Sequence, residues 1–176
     1  KINCPLIEVE NLKINFHISL SGKYQLDNAI LAINALKNLK GFLVSDDDIQ
    51  HGLMKTIWHA RNQVIKQNPL VIFDVGHNEM GILGIINEIS KMKKKSILVL
   101  SLQRRKKIKN IVKNIKSIFD LVICCETDNL RTMTLAEIES QMGDDILYIK
   151  SPFDAIHHGL SIISDDGVLA IVGTHH

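Results

Sequence analysis

The chain has 176 residues, 45% of them hydrophobic and 23% charged, with a net charge of +2. That balance fits a folded globular protein, and a charge so near neutral argues neither for nor against nucleic acid. No apolar run approaches the roughly 20 residues that a membrane-spanning helix needs. The cysteines (Cys4, Cys124, Cys125) are odd in number and two are adjacent, a usage that excludes a disulfide framework and predicts a reducing compartment, the cytoplasm.

In chain order, residues 6–20 alternate loosely, with Leu12, Ile14, Phe16, Ile18 and Leu20 set against polar neighbours, which predicts a half-buried strand or a hairpin. Ser21-Gly22 breaks it. A helix is expected over 26–40, with Leu26, Ala29, Ile30, Ile33, Leu36 and Leu39 on one stripe and Gly41 as its stop. Ser45-Asp46-Asp47-Asp48 is an N-cap cluster that opens a short helix to about Thr56. From residue 69 strands and helices alternate. Strands are expected at 70–75, 96–102, 120–125, 146–149 and 168–172, and helices at about 80–93, 105–118, 134–142 and 152–164. Thr134 with Glu137 forms a capping box, and Ser151-Pro152 is a cap followed by a first-turn proline. Such βα units predict an α/β, Rossmann-like, mostly parallel doubly wound sheet. The expected boundary separates 1–57, which holds too few elements for a core of its own, from 58–176. The second part ends at Gly173-Thr174-His175-His176 directly after a buried strand and is expected to be truncated there.

The segment 58–81, WHARNQVIKQNPLVIFDVGHNEMG, is the most informative in the chain. Its apolar run Leu70-Val71-Ile72-Phe73 predicts a buried parallel strand that delivers Asp74, His77 and Asn78 to the loop at its carboxyl end. Open α/β sheets bind ligands in the crevice outside those ends. Taken alone, Asp74 could cap the next helix, His77 could be a surface loop residue, and Arg61 could pair with a surface carboxylate.

Five short pieces carry a resemblance. Gly22-Lys23-Tyr24-Gln25-Leu26-Asp27-Asn28-Ala29 resembles the G-x-[HY]-Q-x-x-N-A segment of the folylpolyglutamate synthase and dihydrofolate synthase family, within the Mur ligase superfamily. Trp58-His59-Ala60-Arg61 resembles that family's W-x-G-R turn, and Asp74-Val75-Gly76-His77-Asn78 its D-G-A-H-N signature. Asn129-Leu130-Arg131 is similar to a later Arg-containing loop, and Gly173-Thr174 stands where the family has Gly-Ser. Ala60 replaces the usual glycine, Val75-Gly76 replaces Gly-Ala, and Ser101 to Lys106 stands where a D-K pair is usual, without the acid.

The resemblance implies the tail of a central ATPase domain (1–57) followed by a Mur ligase-type C-terminal domain (58–176). The activity it implies is ATP-dependent ligation of L-glutamate to a pteroate or folate carboxylate through an acyl phosphate. On the matching positions, Asn28 and Arg61 would contact ATP, and Asp74 would accept hydrogen bonds from the ribose hydroxyls. His77, the catalytic candidate, would lie near the reacting phosphate or the incoming amino acid. Arg131 and Thr174 are candidates for the glutamate side. Arg suits spread negative charge and a carboxylate suits a diol. Mg2+ is implied, with its ligands expected in a central part, since these 176 residues carry no glycine-rich phosphate loop and no metal site is expected in them. The partners implied are ATP, L-glutamate and dihydropteroate or a reduced folate. Nucleic acid and membrane are not implied, the expected state is a monomer, and the fragment alone is expected to be inactive. Two alternatives remain open: a Mur-type amino-acid ligase of cell-wall synthesis, and a non-catalytic nucleotide-binding module. The pattern does not separate dihydrofolate synthase from folylpolyglutamate synthase.

The basic run Arg104-Arg105-Lys106-Lys107 lacks the interleaved aromatics of a base-stacking surface. Placed at a helix start, it would oppose the helix dipole and hint at an anionic neighbour. His157 and His158 are adjacent on a helix and lack the spacing of paired metal ligands.

Overall fold

The computed structural model of the chain describes residues 6–8, 15–20, 22–104 and 108–173. The chain divides into two compact units, Lys1–Arg61 and Asn62–His176, taken here in turn.

The first unit is a hairpin with two helices. Strands β1 (Leu6–Glu8) and β2 (Asn15–His17) run antiparallel, with Ile7 opposite Phe16. The hairpin alternative for 6–20 is therefore the observed one; Leu12 and Ile14 lie outside the described residues. Helix α1 spans Lys23–Lys37 and α2 spans Asp46–Lys55. Their apolar faces bury Phe16, Ile18, Ala29, Ile33 and Ile49 in one small core. Ser45 caps α2 as the sequence predicts, in a reciprocal capping box with Asp48. The Gln50 side chain completes the edge of β2: its Oε1 accepts from His17 N at 3.0 Å and its Nε2 donates to His17 O at 3.1 Å. Helix α1 starts three residues earlier than expected and ends at Lys37, so Gly41 falls in the turn beyond it. The far end of its stripe is bare. Leu36 and Leu39 are exposed, as are Leu31, Phe42 and Leu43 nearby.

The second unit is a six-stranded sheet in the order β3-β4-β8-β5-β6-β7. Strands β4 (Leu70–Asp74), β5 (Ser96–Leu100), β6 (Leu121–Cys124), β7 (Leu147–Tyr148) and β8 (Val168–Val172) are mutually parallel. Strand β3 (Gln63–Lys66) pairs antiparallel with β4 at the edge and was not expected from the sequence. Side chains alternate across the sheet with period two. Ile72, Leu98, Leu100, Val122, Cys124, Val168, Ala170 and Val172 face one core, shared with α3 (Glu79–Ser90), α4 (Val112–Ile118) and α5 (Leu135–Met142). Val71, Ile97, Val99, Ile123 and Leu169 face the other, covered by α6 (Pro152–Ile162). Helices on both faces of a mostly parallel sheet are the expected α/β architecture. Residues buried on both sides explain why these strands read as near-continuous apolar runs.

One helix is corrected. The expected helix from about 105 begins at Val112, after a 3-10 turn over Lys109–Ile111. Residues 105–107 lie outside the described residues. No cap side chain precedes the helix, and a run of cations is the worst charge for a helix N-terminus. The basic run therefore does not stand at the start of α4, and the hint of an anionic neighbour loses its premise. Among the described residues no helix is long and apolar enough to cross a membrane.

Candidate functional site

In the first unit, the loop after β2, α1 and the segment after α2 enclose an open pocket of about 460 Å³. Its wall is mostly apolar, from Ile18, Leu20, Ala29, Ala32 and Leu53, with Tyr24 and Trp58 as aromatic surfaces. The polar groups are Gln25, Asn28, Thr56 and Arg61. The structure thus brings the predicted residues Asn28 and Arg61 to one concavity. Asn28 sits on the exposed side of α1 with its Nδ2 donating to Gln25 Oε1 at 3.2 Å. An apolar slot with a few convergent polar groups and a cation is the usual form of a small-molecule site. The sequence flagged Asn28 and Arg61; Gln25 stood there only as a member of the resembled segment.

In the second unit, β4, β8 and β5 end in register, with Val172 opposite both Asp74 and Leu100. Asp74 is 3% exposed. Its Oδ2 accepts from the backbone N–H of Asn62 at 2.7 Å and its Oδ1 from that of Gly76 at 2.6 Å, while Gly173 N donates to its carbonyl at 3.1 Å. The carboxylate therefore fastens two pieces of backbone at the carboxyl edge of the sheet, and the Asp74 carbonyl a third. It is not the cap of the following helix: Asn78 is, through a 2.9 Å bond accepted from Gly81 N. Ala60 and Asn62 both adopt left-handed backbone, with φ of 57° and 49°. Ala60 takes this conformation where the resembled motif has glycine, a strain of about 1–2 kcal/mol for a residue with a Cβ.

His77 is half-buried in the same loop, and its Nδ1 lies 3.0 Å from the Val75 carbonyl. The carbonyl can only accept, so Nδ1 carries the proton and Nε2 is the basic nitrogen of the neutral ring. In that arrangement Nε2 can take a proton from an attacking amine and, once it carries that proton, donate it to an oxyanion.

Arg131 is exposed in the loop after β6. Its backbone is well held: its N donates to Asn129 Oδ1 at 2.8 Å and its carbonyl accepts from Arg104 N at 2.7 Å. Arg104, from the run that lacks the family's acid, reaches the same loop. Its Nη1 donates to the Leu130 carbonyl at 3.0 Å and its Nε to Glu137 Oε2 at 3.2 Å. The Glu137 carboxyl is held below the usual range, chiefly by the N–H of Thr134 and then by Arg104. Thr174 lies outside the described residues. A second concavity, of about 470 Å³, opens over the ends of β6 and β7 between Glu126, Asp128, Lys150 and Asp154; none of the predicted site residues lines it. Among the described residues no three His, Cys, Asp or Glu side chains are placed to hold a metal ion.

The fold has known counterparts. The sequence model of the Mur ligase, glutamate ligase domain family matches residues 60–175. The chain is 27% identical over 119 residues to the dihydrofolate synthase/folylpolyglutamate synthase of Escherichia coli (strain K12), covering 66% of this chain and 28% of that protein. It is 30% identical over 105 residues to the enzyme of the same name from Bacillus subtilis (strain 168), covering 57% and 24%. Its fold matches that of E. coli FolC in complex with DHPP and ADP, with a TM-score of 0.79 at 23% identity over 93% of this chain and 38% of that one. The chain belongs to the Mur ligase, glutamate ligase domain family. It spans about a quarter of the length of the curated relatives it matches.

Proposed function

We propose that this chain is the C-terminal part of an ATP-dependent ligase that joins L-glutamate to the carboxylate of a pteroate or folate, with ATP cleaved to ADP and phosphate. The observation that carries the reading is the loop Asp74–Asn78, held at the carboxyl edge of a doubly wound sheet in a chain whose relatives are named for this reaction. Residues 1–57 are then the end of the central ATP-binding domain and 58–176 the ligand-closing domain. The bare apolar side chains Leu31, Phe42 and Leu43 suit a unit that packs against further chain.

In this assignment Asn28 and Arg61 contact the nucleotide, the base lying in the apolar pocket and Arg61 countering phosphate charge. Asp74 belongs to the ribose side. Its first duty is to shape the loop, through the backbone N–H groups of Asn62 and Gly76. His77, with Nδ1 anchored, offers Nε2 to a proton of the attacking α-amino group and, once protonated, can donate it to an oxygen of the acyl phosphate. Arg131 and Thr174 belong to the glutamate side. Phosphoryl transfer depends mainly on positioning and charge neutralisation, so a domain that closes over ATP can be decisive without holding the phosphates itself. The described residues do not fit a metal ion, so magnesium would be held by the preceding part and no step here runs through it. The enzyme would act in the cytoplasm as a monomer, and the 176-residue chain alone would not turn over.

The test uses the complete protein that contains this chain, with ATP, magnesium and L-glutamate. Release of ADP that depends on dihydropteroate or on tetrahydrofolate supports the ligase and tells which step it performs. No release with either pterin refutes it. Turnover with a UDP-muramoyl substrate would then select a cell-wall ligase, and nucleotide binding without turnover a binding module.

A further inference from the structure

Arg104 is tied to the turn that carries Arg131 by both its backbone and its side chain. Its N–H donates to the Arg131 carbonyl at 2.7 Å, and its Nη1 donates to the Leu130 carbonyl at 3.0 Å. The other edge of the guanidinium is set by α5, where Nε donates to Glu137 Oε2 at 3.2 Å. Glu137 is itself held, because the same oxygen accepts from Thr134 N at 2.7 Å in the capping box of that helix. The contacts thus run from a capped helix, through a planar and rigid fork, to the peptide that precedes Arg131. The Leu130 side chain is 86% exposed and gives that peptide no packing. The bonds from Arg131 N to Asn129 Oδ1 and from Thr132 N to the Asn129 carbonyl shape the turn, but they tie it only to itself.

We propose that Arg104 is a positioning residue: through the Leu130 carbonyl it sets the aim of the Arg131 guanidinium, and thereby the affinity for the incoming L-glutamate. This rests on the reading above that Arg131 belongs to the glutamate side. A guanidinium holds a carboxylate best by two parallel N–H···O bonds, a geometry that tolerates little tilt. Arg131 is exposed, and a long exposed side chain loses rotamer freedom when it engages a ligand. A backbone that also swung would add to that cost, and fixing the peptide beforehand removes the addition. The carboxylate is not the group that attacks the acyl phosphate. What Arg104 contributes is therefore equal in the ground and transition states, and it shows in KM.

The experiment measures kcat and the KM values for L-glutamate and ATP on the complete ligase, by ADP release with the pterin it uses. Arg104→Met keeps the length and drops both side-chain bonds. It should raise the KM for L-glutamate by about tenfold, the worth of one hydrogen bond from a charged group. Its kcat and its KM for ATP should stay within about twofold of wild type. Arg104→Lys keeps the charge but, as a point donor, cannot span Glu137 and Leu130 together, so its KM should rise nearly as far. In an Arg131→Ala background Arg104→Met should change the KM no further, because it acts through Arg131. A wild-type KM in Arg104→Met overturns the proposal. A wild-type KM in Arg104→Lys overturns it too, since charge alone would then suffice, as does a further rise in the Arg131→Ala background. Equal changes in kcat and in both KM values, the mark of a merely structural residue, also overturn it. Where the Met variant does not fold, Arg104→Lys carries the same comparison in both backgrounds. Arg131→Ala separates this inference from the reading beneath it. A wild-type KM for L-glutamate in that variant removes the glutamate-side assignment, and the proposal with it. A raised KM there, with Arg104→Met at the wild-type value, removes only the role of Arg104.

Discussion

Gly76 and Gly81 meet backbone to backbone. A methyl group built on Gly81 would lie 2.8 Å from the Gly76 Cα, and one built on Gly76 would lie 2.9 Å from Asp74 Oδ1 and 3.0 Å from the Gly81 carbonyl carbon. The signature loop is thus pressed against the first turn of α3, and only glycine fits at either contact. This explains the Val75-Gly76 order, which differs from the family's Gly-Ala. Either Gly76→Ala or Gly81→Ala should destabilise the second unit by roughly 1–3 kcal/mol, the usual cost of forcing atoms into a packed site. Urea unfolding checks it, and a midpoint unchanged in both variants would show that the loop stands off the helix.

Asp74 has a structural duty that is separable from any ligand. Its two oxygens accept from Asn62 N and Gly76 N, and bonds to a charged acceptor are each worth about 1.5–3 kcal/mol. Asp74→Asn keeps the shape but turns an amide NH2, itself a donor, towards one of those N–H groups. The variant should lose about 2 kcal/mol of stability without any nucleotide present, and its KM for ATP should rise as well. Calorimetry of the ligand-free protein decides the point: an unchanged Tm would mean that the carboxylate serves the ligand alone.

The second unit was readable because parallel strands buried on both faces leave long apolar runs, as in Ser96–Leu100, and because Thr134 and Ser151 are unambiguous helix caps. Strand β3 was invisible for the opposite reason. Gln63, Val64, Ile65 and Lys66 are half-buried or exposed, so no hydrophobic period marks them, and only pairing with β4 makes them a strand. The start of α4 was placed too early because the hydrophobic spacing already includes Ile108 and Ile111, where the described chain makes a 3-10 turn before the helix opens at Val112. At the loop, sequence could bring Asp74, His77 and Asn78 to one strand end. It could not divide their duties, because Asp74 is engaged by an amide twelve positions away, delivered by left-handed backbone at Asn62 that no composition rule announces.

Cys124 and Cys125 are buried in and just after β6, and burial pushes their thiols up to about 12 and about 11. For Cys124 the neighbouring Cys125 adds to the effect. Both should resist alkylation at neutral pH in the folded protein and react fully once it is unfolded. The sign of the pH dependence follows. The folded state holds its thiol protons more tightly than the unfolded chain, whose thiols titrate near 9.0. The contribution is therefore fully present below pH 9 and is lost as pH rises through about 11 and 12. Denaturant midpoints should fall over that window, and Cys125→Ala should flatten the fall. A midpoint that is level across it would mean the thiols ionise without unfolding.

Ser101 ends the row that Asp74, Val172 and Leu100 begin. Its backbone N donates to the Val172 carbonyl at 2.9 Å, which closes the ladder between β5 and β8. Its hydroxyl is buried and has no hydrogen-bond partner among the described residues. An unsatisfied buried hydroxyl costs about 1–3 kcal/mol, and removing it is cheaper than leaving it unpaired. The methyl of alanine fills nearly the same space, so no cavity offsets the gain. Ser101→Ala should therefore stabilise the protein by about 1 kcal/mol and raise its Tm by a few degrees. A loss of stability instead would show that the hydroxyl is satisfied, by water or by the chain beyond Gly173. In that case the same variant, assayed in the complete ligase, would tell whether the bond that holds it also holds the edge of the site.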